Sequence, residues 1–126
     1  MREIKCPRVW DDVLEKVLYS TAEQFDDMLG FRFEQHLETE NPVYMWPTGL
    51  KDKNGREIYE GDILVRVSSW TGKVYYYEVA WDAENARFIS KGPHFQELLS
   101  SAIERGCTVV GNVYEHPHLQ EGGAAV

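Results

Sequence analysis

The sequence predicts a mainly β protein, a small curved sheet or partly closed barrel with two short helices. Short runs rich in β-branched and aromatic residues, above all KVYYYEVAWD at 73–82 and RFIS at 87–90, recur between polar turns. Only two stretches carry apolar residues at helical spacing. The 126 residues, 43% of them hydrophobic, suffice for one domain or for two small lobes sharing a core. The expected organisation is a single domain over 1–118, with an N-terminal lobe of about 1–46, a barrel-like lobe of about 47–118 and a flexible small-residue tail at 119–126.

Taken in order, Ile4 to Trp10 reads as a first strand, with Pro7 marking an edge. Asp11 and Asp12 make a turn, and Lys16 to Tyr19 returns as the second arm of a hairpin. Ser20 and Glu23 form a capping box, Phe25, Met28 and Leu29 follow at helical spacing and Gly30 stops the run, so a helix is expected at about 21–29. Phe31 and Phe33 alternate with charged residues as another strand, and the polar run at 37–42 is a loop. Val43 to Trp46 begins the more strongly patterned half. Residues 73–82 and 87–90 form a hairpin around DAENA. Phe95, Leu98, Leu99, Ala102 and Ile103 then fall at i, i+3, i+4, i+7 and i+8 before Gly106, predicting a helix at about 94–105. Thr108 to Tyr114 closes the domain as a strand.

The stretch TGLKDKNGREIYEGDILVRV at 48–67 is dense in charge, and its turn chemistry explains why. A two-residue loop at Asn54-Gly55 opposes Lys53 to Arg56 and Asp52 to Glu57, placing like charges together twice. A three-residue loop, Lys53-Asn54-Gly55, opposes Asp52 to Arg56, Lys51 to Glu57 and Leu50 to Ile58, and every pair improves. Asp52 then opens a type I turn and Gly55 takes the left-handed position of the adjoining bulge. Gly61-Asp62 makes the next turn, leading into a strand with Ile63, Val65 and Val67. On this reading Asp52, Asn54, Gly55, Arg56, Gly61 and Asp62 are structural, and exposed ion pairs on a sheet add only about 0.2 to 1 kcal/mol each.

Net charge excludes some functions. The total is −8, and no segment reverses it: residues 1–46 carry five Lys or Arg against ten Asp or Glu, residues 47–81 five against five, and residues 82–126 three against six. Phosphate neutralisation needs clustered cations, so direct nucleic-acid binding is not expected. There is no apolar h-region and no apolar run of spanning length, which predicts no membrane association and a cytoplasmic location. Cys6 and Cys107 are expected as reduced, half-buried thiols.

Chemistry-bearing patterns are weak. His116 and His118 lie two residues apart, but further ligands from Glu115, His94, His36 or Cys107 stand at no diagnostic spacing, so no metal or other cofactor is expected. Ser68-Ser69 has no strand-to-helix elbow, Asp11-Asp12 and Asp26-Asp27 point their carboxylates apart, and TGLKDKNG lacks the Lys-Ser/Thr ending of a phosphate loop. An enzyme would require Cys107, His94 and His116 to converge, and the expectation is no catalytic residue. Aromatic content is more informative. Alternation places Tyr75, Tyr77, Val79 and Trp81 on one face of a hairpin and Tyr76, with Trp70, on the other. Such strand aromatics either close the core or, since Tyr and Trp dominate contact hot spots, meet a partner.

The same charged stretch carries a family resemblance. Thr48-Gly49-Leu50-Lys51-Asp52, Asn54-Gly55 and Glu57-Ile58-Tyr59-Glu60-Gly61-Asp62 resemble the signature of the YopX family, as do MREIK with Trp10-Asp11, VAWDAENARF at 79–88 and VVGNVYEHPHL at 109–119. The chain departs from the pattern at Cys6-Pro7, where an aromatic-Arg pair is more typical, and at His116, where a short polar residue is common. The resemblance implies a small β-rich protein of phage or prophage setting and transfers no catalytic residue. With the aromatic faces it predicts a non-enzymatic interaction or assembly module, expected to be a homo-oligomer or to bind a phage or host protein. The alternative is an acidic decoy that occupies a basic host protein.

Overall fold

A computed structural model describes residues 6–19, 37–93 and 96–121. The expected helix at 21–29 and the strand around Phe31 and Phe33 lie outside the described residues. The chain falls into two compact units, Met1–Pro47 and Thr48–Val126.

In the first unit, β1 (Arg8–Asp11) pairs antiparallel with β2 (Lys16–Tyr19) on one side and β3 (Val43–Met45) on the other. Strand β1 starts at Arg8 rather than Ile4; Cys6 and Pro7 precede it, and proline has no N–H to give a ladder. Val9, Val17 and Met45 are buried. The β1–β2 turn needs a left-handed residue, Glu15 at φ 55°, and is held by the Asp11 carboxylate described below.

The second unit is built on a five-stranded antiparallel sheet in the order β10-β6-β7-β8-β9. Its strands are β6 (Asp62–Val67), β7 (Val74–Asp82), β8 (Arg87–Lys91), β9 (Gln96–Leu98) and β10 (Thr108–Asn112). A two-stranded ribbon, β4 (Pro47–Lys51) with β5 (Glu57–Tyr59), makes the third sheet. Cross-strand register puts Val109, Leu64, Tyr77 and Val79 on one face. These residues form a core with Ile58 of the ribbon, with Leu99 and Ala102 of helix α1 (Leu99–Glu104), and with Cys107. The fold is mainly β, and among the described residues no sheet closes into a barrel.

Helix α1 is shorter than the 94–105 expected from periodicity. Gln96–Leu98 instead forms β9, because Ile89 pairs with Leu98 and Ser90 with Glu97 along the β8 edge. Hairpin pairing with the preceding strand overrides a weak local preference there, and Leu98 ends up 42% exposed. The helix does stop at Gly106, which adopts φ 91°. Its N–H donates to the Ile103 carbonyl and that of Cys107 to the Ala102 carbonyl, the two bonds of a Schellman end. A second helix, α2 (Pro117–Glu121), takes up residues read from sequence as the histidine segment and the start of the tail.

Candidate functional site

The turn between β4 and β5 is three residues long. The Asp52 carbonyl accepts from Gly55 N–H at 2.9 Å, the Asp52 N–H donates to the Arg56 carbonyl at 2.9 Å, and Gly55 has φ 82°. The Asp52 side chain is not a surface charge, however. It is 5% exposed, and its Oδ1 accepts from the backbone N–H groups of Asn54 and Arg56, each at 2.9 Å. Its Oδ2 accepts from Val109 N–H at 3.0 Å. One carboxylate thus closes its own turn and ties it to β10, 57 residues further on. Burial pushes the Asp52 carboxyl up, but the donors Val109, Arg56 and Asn54 and the Arg56 charge outweigh it, and the net direction is down.

Asp62 does similar work one turn later. Its Oδ2 accepts from Tyr59 N–H at 2.8 Å and it is 2% exposed. Gly61, at φ 82°, donates its N–H to Val79 and accepts from Val113 N–H. The Glu60-Gly61 turn therefore bonds to the β7 backbone and to the chain beyond β10.

Asp11 is the corresponding device in the first unit. Fully buried, it accepts from Val13 and Leu14 N–H through Oδ1 and from Glu38 and Thr39 N–H through Oδ2. Burial raises its carboxyl, and these four donors together bring it below the ordinary aspartate value. The sequence places Asp11 in a turn; its link to residues 38 and 39 has no local signal.

Both shifts predict acid sensitivity. A carboxyl with a lowered folded-state pKa binds fewer protons when folded, so its stabilisation is present above the unfolded value and is lost as pH falls through the folded one. Chemical denaturation should therefore show stability declining below the ordinary aspartate range, with Asp52→Asn flattening the decline.

The segment after β10 forms a fourth side-chain-capped turn, built on the buried Asn112. Asn112 Oδ1 accepts from Tyr114 and Glu115 N–H, and its Nδ2 donates to Glu115 Oε1 at 2.8 Å. His116 Nδ1 accepts from Asn112 N–H at 3.2 Å, and His116 N–H returns to the Asn112 carbonyl. The His116 side chain packs close against Gly111, where an added Cβ would stand 2.6 Å from Nδ1 and 2.9 Å from Cγ. His116 and His118 rings meet edge-on, 6.2 Å between centroids. No group of three metal-ligating residues occurs among the described residues, and His94 lies outside them. Cys107 is 1% exposed, and burial pushes its thiol up, away from a reactive thiolate.

The aromatic residues of β7 divide sharply. Tyr77 is 2% exposed in the core, and Tyr75 packs against that core beneath the Arg66 guanidinium, 5.4 Å from the ring centre. A hydrogen bond to Tyr77 raises the Arg66 pKa further. Tyr76, half-buried, is on the opposite face beside Val65. Trp81 lies beyond the core, 47% exposed, with its ring edge-on to its cross-strand partner Phe88 at 4.8 Å. Trp70 is on neither face. It sits at the β6–β7 loop, 94% exposed, and that loop carries hydrogen bonds of its own. Ser68 Oγ accepts from Trp70 and Thr71 N–H, Thr71 Oγ1 from Lys73 N–H, and the Ser68 carbonyl from Gly72 N–H.

Comparisons with known proteins agree with this architecture. The model of a family described as YopX protein matches residues 8–121. Among solved structures the chain is similar to protein EF1440 from Enterococcus faecalis, with 24% identity, a TM-score of 0.63 and coverage of 94% of this chain and 99% of that one. A comparison with curated proteins gave no match. No helix among the described residues is long and apolar enough to cross a membrane.

Proposed function

Because the chain belongs to the YopX family, we propose that it is a phage-type interaction module that acts through the β6–β7 hairpin rather than through catalysis, and that it associates with itself. The observation that carries this reading is Trp70, 94% exposed on an internally hydrogen-bonded loop. Exposing an indole to water is unfavourable, and a rigid loop presents it with little ordering cost on contact. On the same hairpin Val67 at the end of β6 is 59% exposed and pairs with Val74, which adds apolar surface to that of the indole. Tyr76 follows on the same face as Val74.

The rival reading, an acidic decoy, draws on the charge of −8. The two differ in their response to salt. An apolar contact around Trp70 should keep or gain strength from low to high ionic strength, whereas attraction between carboxylates and a basic partner weakens within a Debye length that shrinks to roughly 3 Å at 1 M salt. Sedimentation across that range is expected to show salt-resistant self-association; a monomer throughout, with salt-sensitive capture of a basic protein, would favour the decoy.

A further inference from the structure

The turn that carries Asn54-Gly55 also holds the reactants of a self-modification. We propose that Asn54 is a site of intramolecular deamidation, and that the Asp52-capped turn gates it. The Asn54 side chain is exposed, and the next residue has no side chain to obstruct its amide nitrogen; the space where a Gly55 Cβ would stand is open to 4 Å. In the reaction the Gly55 nitrogen attacks Asn54 Cγ and the side-chain amide leaves as ammonia, carrying the proton given up by the attacking nitrogen. The resulting five-membered succinimide adds water at either carbonyl, giving aspartate or isoaspartate at position 54. One water enters, one ammonia leaves, and no redox partner is involved.

The native turn occupies the nucleophile. Gly55 N–H donates to the Asp52 carbonyl at 2.9 Å, while Asp52 Oδ1 holds the N–H groups on either side, those of Asn54 and Arg56. Attack on Cγ requires the Gly55 nitrogen to leave that bond, so molecules react from the locally opened turn, and the rate counts how often it opens. The product acts back on the fold. Isoaspartate lengthens the backbone inside a three-residue loop, so Asp52 Oδ1 no longer reaches both flanking N–H groups and the Oδ2 bond to Val109 loosens with it. The modification is therefore a one-way release of the hairpin from β10. Asn85 provides an internal reference: it is exposed too, but its Nδ2 is held by Asp82 at 2.9 Å and its neighbour Ala86 carries a Cβ.

The test is peptide mapping by mass spectrometry of the full chain held at mildly alkaline pH and physiological temperature, with isoaspartate resolved from aspartate. Conversion at Asn54 is expected before conversion at Asn85, and Asp52→Ala is expected to accelerate Asn54 several-fold while leaving Asn85 unchanged. Val79→Ala serves as the second variant, since it leaves a cavity in the core of the same unit and removes no hydrogen bond of this turn. Conversion of Asn85 with Asn54 intact would overturn the proposal. So would an Asn54 rate unaffected by Asp52→Ala, or one raised as much by Val79→Ala as by Asp52→Ala.

Discussion

Asp52→Ala is expected to destabilise the protein by about 3 kcal/mol, lowering the thermal midpoint by roughly 10 °C for a chain of this size. The expectation follows from what the carboxylate does. Three backbone N–H groups lose their acceptor at once, and that of Val109 is buried, where an orphaned donor costs about 1 to 3 kcal/mol. Were Asp52 only the surface partner of Arg56, the loss would be about 0.2 to 1 kcal/mol. Equilibrium denaturation of Asp52→Ala beside Arg56→Ala separates the two roles. The first substitution should cost several times the second, and equal small losses would contradict the buried-cap account.

The second large effect is expected at Gly111. A methyl group there meets the body of the His116 ring, at 2.6 Å from Nδ1 and 2.9 Å from Cγ, and the ring is held by the Asn112 N–H. Gly111→Ala should therefore cost about 2 kcal/mol, the usual scale of overpacking. His116→Ala removes the obstacle along with its hydrogen bond, so the double variant should be markedly less destabilised than the sum of the singles. Additive losses would mean that the ring already moves aside at little cost.

These two sites show which parts of the structure are legible in the sequence. Gly106 as a helix end is a local event, written in adjacent residues, and the helix does end there. The strands at 16–19, 74–82 and 87–91 follow from residue type and alternation in the same way. What the sequence does not display is which distant atom a side chain reaches. Asp52 has every mark of a turn residue, but its bond to Val109 spans 57 positions; Asp11 has the same double life with Glu38. Within the 94–105 segment the helix forms at Leu99–Glu104, while the turn back onto β8 claims Gln96–Leu98 for the sheet, a choice that helical spacing does not display. Alternation also locates Tyr75, Tyr77 and Val79 on the core face, yet it does not reveal that the core ends before Trp81. Nor does it reveal that Trp70 stands clear of both faces on a hydrogen-bonded loop.

The charged stretch at 48–67 thus identifies the family through its turns, while the proposed contact surface lies on the hairpin that follows it. Light scattering of the wild-type chain and Trp70→Ser at tens of micromolar tests this division most directly. The account predicts a wild-type mass above that of one chain, and a variant of unchanged thermal stability whose self-association is weaker by roughly 2 kcal/mol or more, the threshold of a contact hot spot. A monomeric wild type, or a variant that associates as tightly as the wild type, would contradict it.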